Sequence, residues 1–277
     1  EKNTPQKKIV SELRAKNIDV SSLNWKLTSL IHKNSFTPKA GEYLIPKNTA
    51  LFQIQKIFQS GKTLTRSFTL IEGSTAVELK NNLLKNSYLT GEIMDLEEGI
   101  YKPDTYFFKL GYPRRKLLNK MRIAQEKFLN TIWKKKPKDF VLDNKNELLI
   151  LASIIQKESK DFDDSKLVAS VFINRLNKKM KLQSDVTLAY GYNINGKNIT
   201  KKMLKSNNPY NTYKFHGLPP TPISYPGENA LNALKFIEKT DYIYFVSDGN
   251  GRHRFSKTYS LHKKNIKLWK NSVKKDK

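Results

Sequence analysis

A mixed α+β fold is what the sequence predicts, with a small α/β module over residues 1–73 followed by a larger mixed α+β domain over 74–277 that ends in a hairpin and a helix. Three observations predict it. The 277 residues suffice for a full core and for two domains. Long segments place apolar residues at helical spacing. Short alternating runs bounded by turn residues read as strands.

The elements follow in order. QKKIVSELRAKN is an amphipathic helix, KAGEYLIPKN a short strand closed by a proline turn, and TALFQIQKIFQSGK a helix ending at Gly61. TLTRSFTLIEG alternates as a strand, and Gly73 there marks the expected hinge between the two parts. Thr75 and Glu78 form a capping-box pattern ahead of STAVELKNNLLKN. LEEGIYKPDTYFFKLGYP is rich in turn residues and aromatics, and RRKLLNKMRIAQEKFLNTIWKKK is a basic helix. DNKNELLILASIIQKES is a further helix with Asp143 or Asn144 as its N-cap. DDSKLVASVFINRLNKK sets Leu167, Val168, Val171, Phe172 and Leu176 on one face to pack against it. From LQSDVTLAYG to PISYPGE the chain reads as a long loop. Its four aromatics and five prolines between Asn207 and Glu228 favour an ordered, ligand-facing course. DYIYFVSDGNGRHRFS is a hairpin and SLHKKNIKLWKNSVKK a closing basic helix.

Composition narrows the function classes. The net charge of +26 suits nucleic acid, an anionic membrane surface or a polyanionic cell-wall polymer, and equally a lysine-coated surface with no special partner. Arginines, the forks that read base edges, number eight among 51 basic residues, which argues against a sequence-reading DNA protein. The absence of cysteine excludes disulfides, thiolate catalysis and cysteine-held zinc. Mean hydropathy is −0.62, and no apolar run reaches membrane-spanning length. The chain begins at Glu1 rather than methionine, so any signal or membrane anchor would lie upstream of it.

The chemistry rests first on Glu158. It lies three, four and seven positions after Ile155, Ile154 and Leu151, so a helix puts its carboxylate on their face. Two readings follow: a solvated charge at a helix end, or a desolvated carboxyl whose proton is held to higher pH and is available to a general acid. No nucleophile elbow, phosphate loop or dinucleotide fingerprint is present. His32, His216, His253 and His262 lack the spacing of a zinc hydrolase, so neither metal nor cofactor is expected. A glutamate beside apolar residues, with loops rich in amides, hydroxyls and aromatics, suits a carbohydrate.

The motifs LASIIQKE, VASVFINRLNKKMKLQSDVTLAYG, PYNTY, GLPPTPI, PG and YIYFVSDGNGRHRFS, in this order from about Leu149 to His262, resemble the YceG-like endolytic murein transglycosylases. GEYLIPKN with SGKTLTRSFTLIEG resembles that family's LysM-like module, and LEEGIYKPDTYFF the stretch leading into its catalytic domain. The resemblance implies a catalytic domain over 74–277, with its core at about 140–270, and Glu158 as catalytic acid. It implies endolytic cleavage of the MurNAc–GlcNAc β-1,4 bond in peptidoglycan, leaving 1,6-anhydro-MurNAc ends. It further implies a single-pass location in the bacterial inner membrane with the catalytic part in the periplasm, and peptidoglycan synthases of the elongation or division machinery as partners. Gln156 stands where the family commonly has glutamate, and Asp185, Val186 and Thr187 where it has Asp-Pro-Thr.

Gln183, Ser184, Asp185, Thr187 and Tyr190 follow the second helix closely and are candidate sugar contacts, as are Asn211 and Tyr213 from the next loop. For each, turn capping or core packing is the competing role. Asp185 is also placed to stabilise an oxocarbenium-like centre. His253, between two arginines, is a candidate for stem-peptide carboxylates. The competing function is a non-catalytic peptidoglycan-binding adaptor. Nucleic-acid binding is weakened by the scarce arginine and the lack of a nucleic-acid module.

Overall fold

The structure, a computed structural model, describes residues 4–31, 37–194 and 196–275. The fold is α+β, and the chain separates into two compact units. One comprises Glu1–Phe68 with Ser87–Thr90 and Tyr106–Pro113; the other comprises Thr69–Asn86, Gly91–Thr105 and Arg114–Lys277.

In the smaller unit, helices α1 (Gln6–Ala15), α2 (Ser22–Ile31) and α3 (Leu51–Ser60) bury Val10, Leu13, Val20, Trp25 and Ile54 together. The buried Gln55 amide donates to the Trp25 carbonyl (2.9 Å) and to Ser29 Oγ (3.0 Å), which ties α3 to α2. Gly61 closes α3 at φ 69°, a left-handed conformation that a glycine takes without a Cβ clash. Strand β1 (Arg66–Thr69) pairs with β3 (Thr105–Phe108), and β2 (Leu89–Thr90) runs parallel to β4 (Tyr112–Pro113). Arg66 grips Glu42 with two nitrogens, at 2.6 and 3.0 Å, and lies 3.4 Å from the centroid of the Tyr88 ring. The KAGEYLIPKN segment differs from its expected strand. It takes no ladder partner among the described residues; it is pinned where Leu64 N–H donates to the Glu42 carbonyl (2.7 Å) and the Tyr43 hydroxyl sits between the carbonyls of Lys39 and Phe58.

The larger unit is built around one helix. Helix α4 (Ala76–Lys85) opens on the Thr75–Glu78 capping box, and α5 (Arg114–Lys134) follows. Helix α6 (Lys145–Glu158) starts at Asn144, whose side chain accepts the Glu147 N–H (2.9 Å). From Leu148 to Ile155 every residue of α6 is buried, because α5, α7 (Phe162–Asn177) and α10 (Glu228–Lys235) all pack on it. A helix apolar on all sides is a central one. Helix α10 has no counterpart among the elements read from the sequence. It has only two turns, yet Ala230, Leu231, Ala233 and Leu234 on it are all buried. Hairpin β5 (Tyr244–Ser247) and β6 (His253–Ser256) is antiparallel, and α11 (Tyr259–Lys275) packs on both strands. Phe245 meets Phe172 of α7 edge-on, with centroids 5.6 Å apart, which anchors the hairpin to the central core.

Two corners set the site. After Glu158 the backbone turns extended at Ser159, and Asp161 caps α7 by accepting the Asp164 N–H (3.0 Å), so only three residues separate α6 from α7. Part of the expected loop is helix: α8 (Asp185–Gly191) and the single turn α9 (Lys201–Leu204). Gln183 enters α8 at φ 49°, which costs a residue with a Cβ about 1 kcal/mol. That conformation is fixed by Gln183 N–H to the Thr212 carbonyl and Ser184 N–H to Thr212 Oγ1, both 3.1 Å.

Candidate active site

Glu158, the last residue of α6, keeps part of its side chain exposed, yet protein encloses its carboxyl group. That enclosure raises its proton affinity above the ordinary carboxylate range, and the nearby negative charge of Asp185 adds to the effect. The Ser184 hydroxyl, which donates to Glu158 Oε1 at 2.5 Å, pulls the other way, as do His253 and Arg175. Desolvation is the larger influence, so the carboxyl stays protonated to higher pH than a solvated glutamate. The solvated helix end is therefore not what this corner builds.

The neighbouring groups have distinct roles. Asp185 opens α8 and accepts the Tyr213 hydroxyl at 2.6 Å. Burial first, and Asp185 second, push the Tyr213 phenol far above its usual range, so it stays a donor. Arg175 of α7, a residue the sequence reading passed over, is 6% exposed. Its guanidinium donates to the carbonyls of Ile243 (2.7 Å) and Leu182 (2.6 Å) and stacks over the Tyr244 ring at 5.5 Å. These partners are neutral, so its positive charge reaches Glu158 uncancelled by them. The signal was available only in part: a lone arginine among lysines, in a segment read for its apolar face.

The other sequence candidates divide by what their side chains bond. Gln183 is exposed beside Ser184. Thr187 is fully buried, its hydroxyl between the Ser184 carbonyl (2.8 Å) and Thr212 Oγ1 (2.9 Å), and so props the turn that carries Ser184. Asn211 is fully buried as well. Its amide donates to the carbonyls of Met203, Leu204 and Ser206, and its oxygen accepts the Tyr213 N–H, so it shapes the loop. Tyr190 lies edge-on to Tyr210 and donates to Glu98 Oε1 (3.2 Å), a carboxylate that also accepts the Ala76 N–H at the start of α4. His253 pairs with Asp164, Nδ1 to Oδ2 at 2.8 Å. Gln156 accepts the Gly227 N–H (2.8 Å) and thereby holds the entry to α10. Among the described residues no cluster of three or more His, Cys, Asp or Glu has the arrangement to hold a metal.

Glu158, Ser184, Asp185, Tyr213, Arg175 and His253 thus form one polar corner between α6, α7, α8 and the hairpin on an α+β scaffold. The chain belongs to the YceG-like family, whose profile matches residues 1–268. The endolytic murein transglycosylase of Bacillus subtilis strain 168 is 42% identical over 119 residues, 43% of this chain and 33% of that protein. The endolytic murein transglycosylase of Streptococcus pneumoniae D39 is 34% identical over 176 residues, 61% of this chain and 31% of that protein. The chain therefore spans about a third of the length of the curated relatives it matches. A crystal structure of a YceG-like protein from Listeria monocytogenes superposes with a TM-score of 0.61 at 27% identity, covering 95% of this chain and 96% of that one.

Proposed function

We propose that the chain carries a lytic transglycosylase activity that cleaves peptidoglycan strands internally, at the MurNAc–GlcNAc β-1,4 bond, with Glu158 as acid and then base. The observation that carries this reading is the enclosed Glu158 carboxyl, protonated beyond the usual range and held on one oxygen by Ser184. In the first step Glu158 gives its proton to the glycosidic oxygen as the C–O bond breaks. In the second, the carboxylate takes the proton of the sugar's own 6-hydroxyl, whose oxygen closes a 1,6-anhydro ring at the anomeric carbon. A glycoside hydrolase needs a second carboxylate to activate water or attack the sugar. Asp185, the near carboxylate, instead accepts a tyrosine hydroxyl, which suits stabilising positive charge at the anomeric centre. The relatives named endolytic murein transglycosylase support the same substrate class.

The surface charge of +26 suits the anionic cell wall or a membrane surface. The reading includes a catalytic part outside the cytoplasm, tethered to the inner membrane and working beside peptidoglycan synthases. Among the described residues no helix is long and apolar enough to cross a membrane. Digestion of purified sacculi, followed by mass spectrometry, tests the chemistry. Wild-type protein is expected to release fragments ending in 1,6-anhydro-MurNAc, and Glu158→Gln to release them roughly 10²–10⁴-fold more slowly. Reducing ends carrying added water would replace this reading with a hydrolase. Binding to sacculi without any release would replace it with a glycan-binding adaptor.

A further inference from the structure

Residues 211–213 bond each of residues 183–185, the three that lead into α8. Thr212 accepts two consecutive N–H groups: its carbonyl takes that of Gln183 and its hydroxyl oxygen that of Ser184, both at 3.1 Å. One residue further along each segment, the Tyr213 hydroxyl donates to Asp185 Oδ1 at 2.6 Å. Asn211 fixes the other end of this strap to the carbonyls of Met203, Leu204 and Ser206. The strap therefore sets the backbone entering α8, including Gln183 in its left-handed conformation at φ 49°.

A ring of hydrogen bonds closes around Ser184. Its N–H donates to Thr212 Oγ1, that oxygen lies 2.9 Å from Thr187 Oγ1, and the Thr187 hydroxyl donates back to the Ser184 carbonyl at 2.8 Å. Each hydroxyl has one proton to give, so with Thr187 serving the carbonyl it is Thr212 that donates to Thr187. Both polar groups of the Ser184 backbone are thus held, and its side chain is aimed at Glu158 Oε1, to which it donates at 2.5 Å. Ser184 and Thr212 are each 3% exposed and Thr187 is fully buried. Buried hydroxyls keep the geometry that satisfies them, because leaving a partner is costly.

The consequence falls on the two oxygens of Glu158. In a protonated carboxyl the carbonyl oxygen is the better acceptor, so a donor on Oε1 leaves the proton on Oε2. Oε2 has no hydrogen-bond partner among the described residues. Once the proton has left, the Ser184 bond to Oε1 persists and Oε2 is again the oxygen open to a proton. One fixed contact serves the acid step and the base step alike, with no rearrangement between them.

We propose that Thr212, closed in a ring with Thr187, is a positioning residue for the proposed reaction: it holds Ser184 on Glu158 Oε1, so that Oε2 is the oxygen that delivers the proton and takes it back. This rests on Glu158 being the acid. The test reads kcat and KM separately on soluble, uncrosslinked glycan strands. Thr212→Val and Ser184→Ala are each expected to lower kcat on the order of tenfold, a part of the roughly 10²–10⁴-fold that a positioned acid supplies, with KM unchanged. Thr212→Ser, which keeps the hydroxyl, should restore the wild-type kcat. In the double variant the loss should equal that of Ser184→Ala alone, because Thr212 acts through Ser184. Losses that multiply would overturn the proposal in favour of a general structural role, and a raised KM at unchanged kcat would overturn it in favour of substrate contact. If Thr212→Val does not fold, Thr187→Val opens the ring from its other side and takes its place in the same cycle. Ser184→Ala with wild-type kcat overturns the proposal whatever the threonine variants show. Cleavage that survives Glu158→Gln instead removes the acid assignment, and this role for Thr212 with it.

Discussion

A carboxyl group at Glu158 must be desolvated to act as an acid, and desolvation also works against the fold once the group ionises. Because its folded-state proton affinity is raised above the ordinary 4.5, the stability it contributes is fully present below that value. It is lost as pH rises through the folded-state value, since the native protein must then either keep the proton or hold a desolvated anion. Glu158→Gln, which has no charge to desolvate, should therefore match the wild type in acid and exceed it in stability as pH rises. Urea unfolding at a series of pH values checks this, and a constant difference across the series would show that the carboxyl is effectively solvated. The sequence made Glu158 visible because helical spacing alone places it on the face of Leu151, Ile154 and Ile155. It hid Asp164 and Arg175, since partners of both lie far along the chain: the hairpin 89 residues away for the first, and the Ile243 carbonyl 68 residues away for the second.

At the level of elements, local signals sufficed for most of the longer helices. Helices α1, α3, α4, α5, α6, α7 and α11 and the final hairpin were all legible, as was the Asn144 cap. Those that escaped are α2, ten residues long, and α8, α9 and α10, which are four to eight residues long and stand on tertiary contacts. Strands β2 and β4, two residues each, are set by pairing alone. The segment from Thr200 to Tyr213 shows how such a loop is held without an extended ladder: one buried amide, Asn211, collects the carbonyls of Met203, Leu204 and Ser206. Asn211→Ala takes the side-chain donor from all three, the Met203 carbonyl alone keeping the Ser206 N–H (3.0 Å), so the protein should lose about 1–3 kcal/mol of stability. Because Thr212 holds the Ser184 turn and Tyr213 holds Asp185, cleavage should weaken along with it. Thermal melting beside sacculus digestion reads both, and an unchanged melting temperature would mean that water replaces the amide at no cost.

For the whole molecule, the resemblance in the sequence reached the family, which the profile over residues 1–268 and the Listeria fold bear out. The expected boundary at Gly73 is a separate matter of chain connectivity. The smaller compact unit takes in Ser87–Thr90 and Tyr106–Pro113, segments that lie beyond Gly73 in the chain. A periodicity reading assigns contiguous stretches and does not see such returns. In the larger unit Leu70 N–H donates to the Asp104 carbonyl, Gly73 N–H to Tyr225, and Tyr225 N–H back to Ser74, so the residues just before Ser74 already bond into it. A fragment from Ser74 onward keeps the α5–α6–α7–α10 core, whose packing lies wholly after that point. It should therefore fold cooperatively and retain cleavage of sacculi. It also keeps Leu89 and Phe108, 3% and 4% exposed in the whole chain, without the first 73 residues. Uncovered apolar side chains bind hydrophobic dyes and lower solubility, so the fragment should take up more ANS than the whole chain while its near-ultraviolet dichroism stays native-like. A fragment that melts without a cooperative transition would show instead that the first 73 residues and the helical core fold as one unit.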